Sequence, residues 1–261
     1  TGSRLAANNI TGVRLLGNHV TTEGYSLLSD SSGDNISSIA AVGNVLVSNK
    51  SDAVEFNAPG KTHASIALVG NVLEAGPGGV TTNSGFAVGI ARARGVAVVG
   101  NTITKSRREA VHIEDEQHTN VVVGLAAMEV GRAGVTVTQS ASGLGEGLPV
   151  VGNSLRAAAG NTSSGIIAEW SPEGTVPGMA VVGNRLVNFA DGVTAGNQDM
   201  IVAANVVESA TGSAVKSAGG GSVHGMTFAR GCNTLASTTR GGAFIGKIVT
   251  PSEPVTLLDT S

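Results

Sequence analysis

Seven charged side chains crowd residues 105–116: Lys105, Arg107, Arg108, Glu109, Glu114, Asp115 and Glu116. The chain as a whole is only 13% charged. His112 sits inside this run and His118 just after it. Carboxylates at suitable spacing do general acid and base work. Guanidinium groups pair with anionic groups such as carboxylates. A histidine changes charge near neutral pH. One further acid stands out, Glu169, because the only tryptophan, Trp170, follows it.

These residues act together only if the fold stacks them. Seven segments share a pattern: RLLGNHV, AAVGNVLV, ALVGNVLE, AVVGNTIT, PVVGNSLR, AVVGNRLV and IVAANVVE. Their asparagines are Asn18, Asn44, Asn71, Asn101, Asn153, Asn184 and Asn205. The gap of 52 residues between Asn101 and Asn153 holds a degenerate copy, VVVGLAAM, with Leu125 in the asparagine place. RGCNTL supplies a last expected copy at Asn233. A repeat of about 27 residues is the signature of a solenoid.

A second strand signal follows each copy, as in DAVEFNA, SGFAVGI, EAVHIED and SGIIAEW. Apolar residues alternate with variable ones, the period of a strand with one face buried. Turn formers separate the two signals. The 38 glycines and the frequent valines disfavour long helices. The reading is an all-β parallel solenoid of about nine coils. Stacked asparagines at the repeated position would form an amide ladder, as they do in cross-β stacks.

Aligning the second strands gives an expected outward face. Its pairs are Glu55 and Asn57, Ala87 and Gly89, His112 and Glu114, Thr136 and Thr138, Ile167 and Glu169, Thr194 and Gly196, followed by Lys216. Glu114 and Glu169 then lie two coils apart, about 9.6 Å by the strand spacing. That separation suits an inverting glycoside hydrolase, which uses two carboxyl groups about 6.5–9.5 Å apart. Asp115 is a possible substitute for either acid. Trp170 reads equally as core or as a platform for a sugar ring. Arg107 and Arg108 read as substrate contacts or as partners of Glu114 or Glu116, pairs that contribute little at a solvated turn. Glu55 extends the expected substrate-binding face.

The repeat, read over about residues 5–235, resembles the right-handed parallel β-helix, or pectate-lyase-like, superfamily. The right hand agrees with the general chirality of parallel crossovers. The resemblance implies a polysaccharide-active protein, either tailspike-like or a secreted glycan hydrolase or lyase. In a lyase, a cation would neutralise the sugar carboxylate and a base would remove a proton. The family also implies two further possibilities: acids such as Glu114, Asp115 and Glu116 holding Ca²⁺, and a homotrimer. No cofactor is required by any motif. Paired aspartates followed by Gly-His-Gly are absent, as are serine-nucleophile, P-loop and HExxH signatures. A glycan-binding, adhesive or structural shaft domain is therefore the alternative.

The formal net charge is −3, which argues against a basic nucleic-acid surface. No run of 18 apolar residues suggests a membrane helix. The single cysteine, Cys232, excludes an internal disulfide. Residues 236–261 depart from the repeat and contain Pro251 and Pro254, so they read as a cap or association segment beyond a β-helix of residues 1–235. An extracellular, cell-surface or virion location is the expectation.

Overall fold

Parallel strands wind through three stacks in turn, called the first, second and third sheets, the last two joined at Ser222–Arg230, so that the chain forms a parallel β-helix. The computed structural model describes residues 2–5, 10–29, 36–57, 63–76, 84–114, 120–139, 148–170, 179–196, 199–218, 222–239 and 243–250. The first sheet collects the strands Ser3–Leu5, Leu27–Ser29, Val54–Asn57, Val88–Ala91, Val111–Glu114, Val135–Gln139, Ile166–Trp170, Val193–Ala195, Ser213–Ala218 and Thr234–Thr239. The second runs through strands such as Ile36–Val42, His63–Val69 and Ala93–Val99. The third follows a sharp corner, with Val45–Ser48, Val72–Ala75 and Thr102–Ser106 among its strands.

The repeated Gly-Asn makes that corner. Gly17, Gly43, Gly70, Gly100, Gly124, Gly152 and Gly183 all sit in the left-handed region, with φ between 61° and 67°. Glycine adopts that region at no steric cost. The residue that follows turns inward and is buried at Asn44, Asn71, Asn101, Leu125, Asn153 and Asn184, whereas Asn18 in the first coil is exposed. Each amide joins two neighbouring coils. Asn44 Nδ2 donates to Asn71 Oδ1 at 2.9 Å and to the Leu15 carbonyl at 2.9 Å. The Asn44 backbone N–H donates to the same Asn71 oxygen at 3.0 Å. The pattern recurs from Asn18 to Asn101 and from Asn153 to Asn205. Leu125 interrupts it. Asn120 supplies a separate tie in that coil, with its Oδ1 accepting from the Val96 N–H and its Nδ2 donating to the Ala93 carbonyl.

The core is aliphatic, as a chain with 3% aromatics requires. Alternate residues of all three sheets point into it, among them Leu27, Leu68, Leu73, Ile103 and Ile113. Small residues, such as Ala53, Ala87, Ala110, Gly134, Gly165 and Gly192, precede the first-sheet strands and are buried. A Cβ at Gly134 would meet Leu155 Cδ1 at 2.5 Å, so the turn closes directly onto the core.

Two expectations need correction. Asn233 does not join the ladder. The register pairs Asn205 with Thr227, so threonine fills the ninth position. Asn233 lies in a turn, exposed, and donates to the Thr211 carbonyl at 2.6 Å. Parallel pairing also continues past residue 235. Ala236–Thr239 pairs with Val215–Ala218, and Ala243–Val249 with Ser222–Phe228. The solenoid therefore runs to Val249, because that segment keeps strand-forming residues despite losing the Gly-Asn signal. Residues 251–261 lie outside the described part.

Candidate substrate cleft on the first sheet

The register fixes which side chains share the outer face of the first sheet. Leu28, Glu55, Gly89, His112, Thr136, Ile167, Thr194 and Lys216 form one outward column. Asn57, Ala91, Glu114 and Thr138 form a second, whose backbone register continues to position 169. The expected pair Ala87 and Gly89 is thus displaced by two residues: Gly89 and Ala91 occupy the columns, and Ala87 is fully buried in the preceding turn.

Gly89 and Ala91 leave a slot in an otherwise furnished face. Glu55 and Asn57 border it on one side, His112 and Glu114 on the other. The coils flanking the slot are about 9.6 Å apart. Phe86 and Arg108 rise from the adjoining turns to close one wall. Together these residues enclose a cleft of about 290 Å³.

The walls are cross-braced. The Phe86 ring packs on His112, with centroids 4.8 Å apart. The Arg108 guanidinium lies 4.4 Å from the centre of the same ring, a cation–π contact. Arg108 Nε is 3.1 Å from Glu109 Oε2. The pair is ionic, since neither atom has hydrogen-bonding geometry. Arg132 approaches the other Glu109 oxygen at 3.9 Å. Glu109 is buried, so it is the partner that the sequence assigned instead to Glu114 or Glu116.

Electrostatics follow from this packing. Burial, then the nearby Arg108 and Arg132 charges, push the His112 imidazole down to about 4. It is neutral at pH 7, and its Nδ1 is buried without a hydrogen-bond partner. At the far side of the slot, Asn57 Nδ2 donates to Glu55 Oε1 at 3.1 Å. Behind Glu55 lies Asp52, nearly fully buried. Burial, then the Glu55 charge, raises the Asp52 carboxyl to about 7. Asp52 Oδ1 accepts from the Gly85 and Phe86 N–H groups at 2.5 and 2.8 Å. It therefore holds the turn that carries Phe86. Burial also raises the Tyr25 phenol, which neighbours Ser51, Glu55 and Asp52.

The sequence-derived candidates divide accordingly. Glu55, Arg108, His112 and Glu114 line the cleft. Arg107 is in the adjacent turn, its Cβ against Gly85, and does not line it. The register places Glu169 two coils from Glu114, past Thr138, on the side away from the cleft. The side chains of Glu169 and Trp170 lie outside the described part, as does Asp115. Among the described residues, no group of three His, Cys, Asp or Glu side chains is placed to hold a metal ion, and no helix is long and apolar enough to cross a membrane. Cys232 is half-buried, with its Sγ near the Val207 carbonyl at 3.6 Å. Sequence reasoning missed Phe86, which reaches the cleft from a turn rather than from the repeat, and Asp52 and Tyr25, which stand beside Glu55 outside the cleft lining.

No family model and no curated protein matches this chain. Among solved structures, an alginate lyase from Paenibacillus sp. str. FPU-7 aligns at a TM-score of 0.36 and 12% identity, covering 93% of this chain and 99% of that one. A TibC-catalysed hyper-glycosylated TibA fragment aligns at a TM-score of 0.20 and 12% identity, covering 93% of this chain and 97% of the fragment. The parallel strand register, rather than either likeness, makes this chain a parallel β-helix of the kind its repeat resembles.

Proposed function

We propose that the protein binds a polysaccharide along the first sheet and hydrolyses it in the cleft. The observation that supports this most is the slot at Gly89 and Ala91, with a carboxylate on each side. Glu55 and Glu114 are the acid–base pair of this reading. Glu114, exposed at the rim, gives its proton to the glycosidic oxygen as the anomeric C–O bond breaks. Glu55, steadied by Asn57, takes a proton from the water whose oxygen attacks the anomeric carbon. One water is consumed per bond cut. Phe86 and Arg108 form the wall against which the sugar rests. Glu114 also belongs to the pair with Glu169, whose two-coil separation gives that pair the same chemistry.

A lyase is the second reading, favoured by a neutral His112 beside Arg108. There Arg108 would neutralise a uronate carboxylate and His112 would take the proton from the carbon beside it; the glycosidic C–O bond at the next carbon would break, its oxygen taking a proton from solvent, and a C=C bond would form in the uronide. Either substrate class goes with a protein placed outside the cell, at a cell surface or on a virion. Digestion of a glycan panel separates the readings. Hydrolysis that Glu55→Gln and Glu114→Gln each suppress supports the first. Product absorbance from an unsaturated uronide, lost in His112→Gln, supports the second. Cleavage that survives all three substitutions defeats both. Binding without cleavage by the unmodified protein leaves an adhesive or shaft domain.

A further inference from the structure

Three acids stand at the same place in their coils, two residues before a first-sheet strand: Asp52, Glu109 and Asp191. Two of them are held by cations. Asp191 Oδ1 accepts from the Ser213 N–H at 2.7 Å, and its Oδ2 lies 3.3 Å from Lys216 Nζ. Glu109 faces Arg108 and Arg132. Asp52 caps the next coil as Asp191 does, since its Oδ1 accepts from the Gly85 and Phe86 N–H groups. Yet no lysine, arginine or histidine among the described residues pairs with Asp52. The register explains why. Lys216 follows Ser213 by three residues and stands in the outward column one coil beyond Asp191. The residue that follows Phe86 by three is Gly89, one coil beyond Asp52. The glycine that opens the slot thus also removes the side chain that would neutralise Asp52.

What faces Asp52 instead is a second acid. Glu55, on the strand that follows Asp52, is within hydrogen-bonding reach of it, and the Tyr25 phenol from the preceding coil neighbours both. From the next coil come the Gly85 and Phe86 backbone N–H groups. Beyond that turn, Arg108 is engaged by Glu109 and by the Phe86 ring. Asp52 is only 2% exposed. A buried carboxyl beside a second carboxylate takes up a proton rather than keep two unpaired charges. Two N–H groups occupy Oδ1, which leaves Oδ2 to carry that proton toward Glu55.

We infer that Asp52 is a positioning residue for Glu55, donating its own proton to that carboxylate while its other oxygen pins the Phe86 wall. This rests on the reading of Glu55 as the base that activates water. Asp52 keeps its proton throughout, and the proton of the attacking water goes to Glu55. One residue thereby sets two sides of the cleft: the direction in which Glu55 presents its free lone pairs, and the place of the ring against which the sugar rests. When Asp52 ionises, the hydrogen bond to Glu55 is lost and the two carboxylates repel. Because the Asp52 carboxyl is raised to about 7, that loss falls in the neutral range.

Carbon-13 NMR of the side-chain carboxyl groups in the glycan-free protein tests the pairing. The Glu55 signal should move with the Asp52 signal around pH 7. That movement should vanish in Asp52→Asn, whose amide still accepts from Gly85 and Phe86 and still donates to Glu55. A Glu55 signal indifferent to Asp52 overturns the inference, whether or not any glycan is cut. On a cleaved glycan, the ratio of kcat/KM at pH 6 to that at pH 8 should be about tenfold smaller in Asp52→Asn than in the parent, the factor carried by one proton with a midpoint near neutrality. An unchanged ratio also overturns it. If Asp52→Asn fails to fold, Glu55→Gln replaces it: the Asp52 midpoint should fall by about one pH unit once the neighbouring charge is gone, and a midpoint that stays overturns the inference equally. A protein that shows the paired titration but cuts no glycan supports the pairing and defeats the hydrolytic reading alone.

Discussion

Glu55 and His112 stand two coils apart in one outward column, with Gly89 alone between them. The missing side chain makes the slot. Each neighbour in that column brings a different chemistry to it, and the second column adds Asn57 and Glu114 at the same two heights.

Removing either carboxylate should separate chemistry from binding. Glu114→Gln and Glu55→Gln keep size and shape, so the fold should be unchanged. General acid–base contributions are about 10²–10⁴-fold. A loss of that order in kcat, with KM changed much less, is the expected result for each. Steady-state kinetics on the cleaved glycan give the answer, and a fall in binding alone would contradict it.

Filling the slot should block it without harming the scaffold. A Cβ at Gly89 would sit 3.5 Å from the Phe86 ring, an ordinary contact, and the backbone there is not left-handed. Gly89→Ala should therefore melt within a few degrees of the parent, and Gly89→Leu, whose side chain must push the Phe86 ring aside, should lose most glycan affinity by calorimetry. Gly89→Ala should lose much less.

The ladder makes a sharper stability prediction. Asn71→Ala removes the acceptor of the Asn44 backbone and side-chain N–H groups. It also strips a donor from Asn101 Oδ1 and from the Ala41 carbonyl. Each buried group left unpaired costs about 1–3 kcal/mol. Denaturant unfolding should show a loss of about 3–5 kcal/mol. A loss below 1 kcal/mol would mean that the amides are replaceable by water.

Two buried groups carry opposite pH signatures. The folded Asp52 carboxyl titrates near 7, above its unfolded value of 3.8. The folded state thus binds the extra proton between those values, so this residue lowers stability as pH rises from about 4 to 7. Asp52→Asn keeps an oxygen for the Gly85 and Phe86 N–H groups and removes that loss. Relative to the parent it should gain on the order of 2–4 kcal/mol between pH 4 and pH 8. His112 works the other way. Its folded value of about 4 lies below the ordinary 6.5, so its contribution is complete above pH 6.5 and fades as pH falls toward 4. Proton NMR should show this ring titrating near 4, and a midpoint near 6.5 would refute the packing described around Phe86 and Arg108.

The periodic part of the molecule was legible because stacking is periodic. Seven asparagines, the Leu125 gap and the two-residue alternation were enough to place His112 and Glu114 on one face. Asn233 misled because RGCN repeats the letters of the corner without its position. Thr227, the true occupant, lies inside a nine-residue strand that carries no Gly-Asn mark. The cleft wall was harder to foresee. Phe86, Arg108 and Asp52 come from turns whose course is set by close packing at Ala87 and Ala110, which a two-residue period does not encode. Arg108 was recognisable as a cation, but its partner Glu109 was not, since burial of that acid depends on the neighbouring coil.

Leu125 has a mechanical meaning. It divides the amide zipper into a run from Asn18 to Asn101 and another from Asn153 to Asn205, and the cleft sits wholly on the first. A load that peels coils from the C-terminal end would meet one amide-linked block, then a thinner join held by the Leu125 N–H on Asn153 Oδ1 and by Asn120 on Ala93 and Val96, then another block. Unravelling in an optical trap would arrive as two bursts rather than a steady slip. The block bearing Glu55, His112 and Glu114 would be the last to let go.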